Sequence, residues 1–283
     1  NTTTGTGLYI WNGDKWLPLI NHVNYVYLLT DIRDGETYFT GNFGTAGIWM
    51  LENLRYVPKA AEGYEHNGTS ASTAITDKYY VYPGVNMNPY DAGAAETGWD
   101  KSWGILYNWA GATNGRSLPS NDEADKAYDG TYTKVQGVCP DGWYLPSDMD
   151  WSDLEEVIAA ATAGIYSTDG TVSLPSDFRT STSSRNVPLG KKMKSTKDVY
   201  TTDTYTTNGS SKSAATGGFD ALLVGNVFGG GSRNDFGLNT LFWSSSFNSG
   251  FNAWLRYLGC SYEGVDRGVS DWSALFSVRC KKD

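Results

Sequence analysis

Histidine and cysteine are scarce in this chain of 283 residues: two histidines (His22, His66) and three cysteines (Cys139, Cys260, Cys280). No CxxC pair occurs, which argues against a zinc site. Lysine and arginine number 22 against 31 acids, for a net charge of −9. Cations gather only at Lys191, Lys192 and Lys194, too few for the basic face that nucleic acid demands. Nucleic acid is therefore not an expected partner. No run of about 18 apolar residues is present, so no membrane-spanning helix is expected. Glycine-rich GGFDALLVGNVFGGG (217–231) lacks the Gly-Lys-Ser/Thr of a phosphate loop, and a tight turn or bulge beside packed aromatics suits it better. No signal peptide is visible in this sequence, which starts at Asn1 rather than methionine. A mature or trimmed form is expected.

What the chain does have is aromatic and small residues. Aromatics make up 14%, with 11 Trp and 19 Tyr, beside 33 Gly. With abundant Thr, Ser and Asn, this reads as a loop-rich extracellular protein. The length allows one large domain or two modest ones, with room for a full core. Cys139 and Cys280 each lie in an ordered-looking motif and would pair in an exported protein, leaving Cys260 as the odd thiol. Three reduced cysteines in a cytosolic protein is the alternative.

Residues 1–29 read as a separate β-hairpin segment, because Asn12-Gly13-Asp14 sits between two apolar runs and Asn-Gly there is a strong hairpin signal. A second apolar run, Val23 to Leu29, precedes a fresh start at Asp31, and the main domain is placed at 30–283. Residues 31–58 read as two strands about Asp34-Gly35, then a strand at Ile48 to Met50. Residues 59–100 have no clear period and read as a long insertion loop. SWGILYNWAGA (102–112) reads as core. The clearest helix follows Pro146. Ser147 suits its N-cap and Asp150, three later, completes a shortened capping box. Trp151, Leu154, Val157, Ile158 and Ala161 share one face. Asp148, Asp150 and Asp153 fall where the helix dipole favours carboxylates, a reading preferred over catalysis or metal binding.

Residues 242–280 carry two interleaved sets. Phe242, Trp243, Ala253, Trp254, Arg256, Leu258, Val265, Arg267, Phe276, Val278 and Cys280 look like framework. The other set is chemically mixed: Phe247, Ser249, Phe251, Leu255, Tyr257, Gly259, Ser261, Tyr262, Gly264, Asp266, Gly268, Val269, Ser270, Asp271 and Trp272. The sets alternate with period two at 254–258 and 264–268, as in strands with one face inward. Arg256 and Arg267 then point inward and need acidic partners. A solvent face bearing Leu, Tyr and Gly fits a binding surface; a strand buried on both sides is the alternative.

IWMLENLRY (48–56), WGILYNWAGA (103–112), CPDGWYLPSDMDWSDLE (139–155), LGKKMKS (189–195), GFDALLVGN (218–226), FWSSS (242–246), AWLRYL (253–258) and FSVRC (276–280) together resemble the Fibrobacter succinogenes major paralogous domain family of exported and lipid-anchored bacterial proteins. The long 59–100 stretch and Leu51, where a small residue is usual, depart from its pattern. The resemblance implies an α+β, C-type-lectin-like domain with small antiparallel sheets, two helices and long irregular loops. It also implies an FSVRC strand closing near Cys139. Residues 247–275 further resemble the variable region of a diversity-generating retroelement, in which template adenines are mutagenised between fixed framework words.

These readings lead to an exported surface protein that displays the mixed set 247–272 to a protein or glycan on another cell, a host or a phage, with Tyr257, Tyr262 and Trp272 as anchors and Asp266 and Asp271 setting polarity. No cofactor is called for. The related formylglycine-generating enzymes hold copper with closely spaced cysteines, which Cys260 and Cys280 are not. No carboxylate pair stands out for glycoside hydrolysis, and the calcium-lectin words Glu-Pro-Asn and Trp-Asn-Asp are absent. A purely structural surface protein, with Trp272 packed under a loop, is the rival reading.

Overall fold

The computed structural model describes residues 9–11, 16–18, 26–84, 98–116, 134–182, 184–185, 187–200, 206–228 and 231–283. The turn at Asn12-Gly13-Asp14 lies outside them. Its flanks form β1 (Tyr9–Trp11) and β2 (Trp16–Pro18), paired antiparallel with Trp11 opposite Trp16. The strands that follow are β3 (Val26–Thr30), β4 (Thr37–Asn42), β5 (Ile48–Met50), β6 (Tyr64–His66), β7 (Lys78–Val81), β8 (Leu106–Asn108), β9 (Trp143–Tyr144) and β10 (Ser184–Arg185). After them come β11 (Asn226–Phe228), β12 (Ser232–Asn234), β13 (Asn239–Phe247), β14 (Asn252–Gly259), β15 (Val265–Asp271), β16 (Leu275–Ser277) and β17 (Lys281–Lys282). The helices among the described residues are α1 (Trp109–Ala112), α2 (Asp148–Ala160) and α3 (Leu189–Met193), besides short 3-10 turns. The fold is α+β.

The smaller sheet runs β3-β4-β5-β17-β9. The larger runs β10-β15-β14-β13-β16-β8-β7-β6, with β11 beside β16 and β12 beside β11. Its ten strands exceed the small antiparallel sheets expected, and two pairs, β13/β16 and β6/β7, are parallel. The apolar run assigned to the N-terminal segment supplies edge strand β3. The first strand of that hairpin therefore precedes Asp31 rather than following it. Buried Asp31 shapes the turn: its carboxylate accepts from Arg33 Nε at 2.9 Å, and its carbonyl from Gly35 N at 2.7 Å. The aperiodic stretch 59–100 is not loop throughout, since it holds β6 and β7. The short Lys-Tyr-Tyr-Val strand alternates in burial, too briefly to stand out among Gly, Thr and Ser.

Helix α2 matches its reading. Ser147 Oγ accepts from Asp150 N at 3.1 Å, and Asp150 Oδ2 accepts from Ser147 N at 2.9 Å. This is a capping box closed by the shorter acid. Trp151, Leu154 and Ile158 are buried, with Val157 and Ala161 packed beside them.

The core lies on both sides of β13, every residue of which is buried. One side gathers Trp109, Trp243, Trp272 and Phe276; the other gathers Trp49, Trp151, Phe219 and Phe242. A buried indole N–H needs an acceptor, and backbone carbonyls supply most of them here. Trp243 Nε1 donates to Tyr107 O at 2.8 Å, Trp109 Nε1 to Ser244 O at 2.9 Å, Trp151 Nε1 to Trp243 O at 3.3 Å, and Trp49 Nε1 to Ala46 O at 2.9 Å. The tryptophans thus lock β13 to β8, α1 and α2. A disulfide joins Cys139 to Cys280, 141 residues apart, while the Cys260 thiol is free and buried. Among the described residues no helix is long and apolar enough to cross a membrane.

Candidate functional site

The interleaved residues of 242–280 lie on β13–β16 and their connections. Every framework position, from Phe242 to Cys280, is buried. Arg256 on β14 and Arg267 on β15 face each other in register and reach the first turns of α2. Arg256 Nη1 meets Asp148 Oδ1 at 2.5 Å, its Nη2 donates to Ser152 Oγ at 3.1 Å, and its Nε bonds Glu155 Oε1. Arg267 Nη2 and Nε reach Asp148 Oδ2 at 2.8 and 2.9 Å, and its guanidinium lies 3.5 Å over the Trp254 ring. Burial alone would raise the Asp148 pKa; the charges of Arg256 and Arg267 outweigh it and hold the carboxyl below its usual range. The acids that the two arginines needed are therefore Asp148 and Glu155. Helix-dipole reasoning accounts for Asp148 by its position alone and gives Glu155 no role. Two inward arginines facing a helix rich in acids were the signal.

The mixed positions divide. Ser249, Phe251, Ser261, Val269 and Asp271 are exposed; Tyr257, Tyr262, Asp266, Gly268 and Ser270 are half-buried. Phe247, Leu255, Gly259, Gly264 and Trp272 are buried. The expectation of one solvent face along β14 fails at Leu255, which is 4% exposed and sits in the core with Ala253 and Trp243. Tyr257 packs against the same cluster, and burial raises its phenol pKa against the opposing hydrogen bond from Asn239. Trp272, expected to be an anchor, is 2% exposed and stacks on Trp109 at 4.9 Å, with Phe247 and Phe251 against it. It is a core residue because the turn after β15 folds inward, where Trp109 N bonds Trp272 O at 3.0 Å.

What remains accessible falls in two places. At the open end of the β14–β15 pair, Phe251 (57% exposed) adjoins Asp271, and Val269 (45% exposed) lies two rungs beyond the Asn252–Asp271 pair. At the other end, residues 260–264 connect the strands and carry Ser261 and Tyr262. LGKKMKS fixes this connection. Buried Lys194 Nζ donates to Gly259 O and Tyr262 O, each at 2.6 Å, and Lys191 N donates to Glu263 O at 2.9 Å. A Cβ on Gly190 would stand 1.8 Å from Gly264 O, so only glycine allows this approach. Burial lowers the Lys194 pKa to about 8, with Cys260 and Glu263 opposing. The connection is thus gripped through its backbone, with Ser261 exposed and Tyr262 half-buried on it. In the sequence, LGKKMKS is both a small cationic cluster and one of the family's words, and neither reveals its grip on residues 259–264.

Among the described residues no group of three or more His, Cys, Asp or Glu could hold a metal. No curated protein and no solved structure matches the chain. The profile of the Fibrobacter succinogenes major domain matches residues 45–282, a span that includes both sheets' central strands, the disulfide and the whole 242–280 tract, and the chain belongs to that family.

Proposed function

We propose that the domain is a non-catalytic binding module that presents the accessible part of 247–271 to a protein or glycan on another cell, host or phage surface. The observation that carries this reading is the division of labour along β14 and β15. Framework side chains hold the strands to α2, and exposed Phe251 and Val269 lie at the open end of the pair with exposed Ser249 and Asp271. Exposed apolar residues rimmed by polar ones are the usual character of an interaction site. Trp272 packs beneath Phe251, and the half-buried Tyr257 and Tyr262 lie toward the other end of the strand pair.

The same division supports diversification on a C-type-lectin-like scaffold, because exposed Phe251 and Val269 are apolar and fix no turn, whereas Asp271 holds the turn after β15 by accepting from Ser273 N at 2.9 Å. The Cys139–Cys280 bond supports export to an oxidising compartment. The test is labelled protein on a glycan array and on intact cells, beside Phe251→Ser/Val269→Ser. The double variant should melt within about 4 °C of the parent, since two surface changes of about 0.5 kcal/mol each amount to about 1 kcal/mol at about 2–4 °C per kcal/mol, and should lose binding. Equal binding by both proteins would contradict the reading.

A further inference from the structure

A second pocket, of about 310 Å³, opens between the β3–β4 turn, the residues around β6 and β7, and residues 137–138. It lies at the far edge of the larger sheet, where β13, β16, β8 and β7 separate β14 from β6. The stretch 59–100, which departs from the family pattern, supplies Glu62, Tyr64 and Lys78 to it. The polar groups here are held in place by the fold. Arg33 lies 3.9 Å over the Tyr56 ring, with Nε and Nη2 on Asp31 at 2.9 and 2.6 Å and Nη1 on Val138 O at 3.0 Å. Lys78 Nζ lies 4.4 Å over the Tyr64 ring and donates to Glu62 O at 2.5 Å and to Asn114 Oδ1 at 2.9 Å. Tyr56 Oη donates to Glu62 Oε1 at 2.6 Å. Held this way, the groups keep capacity to spare. Lys78 has used two of its three N–H groups. Glu62 and Asn114 are exposed, and among the described residues Glu62 Oε2 and Asn114 Nδ2 have no hydrogen-bond partner. Arg33 and Lys78 are matched by Asp31 and Glu62, so neither sign of charge is in excess.

We propose that this pocket binds a neutral polyhydroxylated ring, one pyranose residue of a carbohydrate. A sugar hydroxyl both donates and accepts. That suits a rim where one acceptor, Glu62 Oε2, accompanies two donors, Lys78 Nζ and Asn114 Nδ2. Small-molecule sites run from about 300 to 1,000 Å³, and this one has the size for a single ring. A charged ligand suits it less: a carboxylate would meet Glu62 beside Lys78, and an ammonium would meet Lys78 and Arg33 beside Glu62. Donors and acceptors already fixed by the fold need little ordering on binding. The pocket involves none of the residues of the binding surface proposed above, so the two readings stand or fall separately.

The test is a proton–nitrogen correlation spectrum of the whole chain, titrated with the methyl α-D-pyranosides of glucose, mannose and galactose and with glycine as the charged control. At least one pyranoside should shift the amide signals of residues 62–64, 78, 114 and 137–138 saturably at millimolar concentration, and glycine should not. Glu62→Gln keeps an acceptor for Tyr56 and replaces the free carboxylate oxygen by a donor. It should weaken binding by about tenfold or more, since a hydrogen bond to a charged group is among the stronger ones. Asn114→Gly suits the backbone, where φ is 55°, and should weaken binding too. Phe251→Ser/Val269→Ser should leave these shifts unchanged, and a sugar held at millimolar strength is washed from a glycan array, so each surface is read by its own assay. No saturable shift with any of the three pyranosides, equal shifts with glycine, or undiminished affinity in both Glu62→Gln and Asn114→Gly would overturn the proposal.

Discussion

Replacing Asp148 by Asn keeps the shape of the side chain and removes the charge that Arg256 and Arg267 share. The Asp148 carboxylate meets both guanidiniums at 2.5 to 3.1 Å, and all three side chains are buried. In Asp148→Asn two buried cations would be left with Glu155 alone. Removing one partner of a buried ion pair costs about 3–5 kcal/mol, and at about 2–4 °C per kcal/mol for a chain of this size the melting point should fall by about 6–20 °C. The effect has a sign in pH. A carboxylate whose folded pKa is depressed contributes stability above its unfolded value of about 3.9, and this is lost as pH falls toward the folded value. The parent should therefore lose this contribution below about pH 4, and the gap between parent and variant should narrow. Thermal melts followed by circular dichroism at pH 7 and pH 3 measure both. A loss under about 2 °C at pH 7, or a gap unchanged at pH 3, would refute the reasoning.

Trp272→Ala, which opens a cavity against Trp109, should cost about 3–5 kcal/mol in denaturant unfolding; an unchanged midpoint would place Trp272 on the surface. Cys139→Ser/Cys280→Ser removes a crosslink spanning 141 residues and should cost up to about 5 kcal/mol by loop-closure entropy, and a loss below about 1 kcal/mol would contradict that account. Lys194→Met leaves the Gly259 and Tyr262 carbonyls without their donor and should speed amide exchange in 259–264. Because burial lowers the Lys194 pKa to about 8 from 10.5, the unfolded chain holds more protons between those values. The Lys194 contribution therefore rises with pH across that window, and the variant should lack this rise.

The framework of the 242–280 tract was legible because each of its residues is buried, and alternation tracked them without any structure. The mixed set was less legible because β14 lies between two clusters. Leu255 and Trp254 point to opposite faces, and both find core. Period-two reasoning supplies the two faces but not what covers each. Trp272 follows β15, where no period applies, and its burial depends on Trp109, which is 163 residues earlier in the chain. Helix α2 was readable in detail because its cap, its face and its first-turn acids are local. The roles of Asp148 and Lys194 were hidden because their partners lie 108 or more and 65 or more residues away. β6 and β7 were missed because three- and four-residue strands give too few alternations.

The most direct test of the central claim is a yeast-displayed library randomised at Ser249, Phe251, Ser261, Tyr262, Val269, Ser270 and Asp271, sorted first for folded display and then for binding to an unrelated protein. If these side chains are a binding surface on an independently held backbone, most clones should display at the parent level, and sorting should yield binders that revert to background when the seven positions are restored. If most clones lose folded display, or no binder emerges from a well-displayed library, the claim is contradicted.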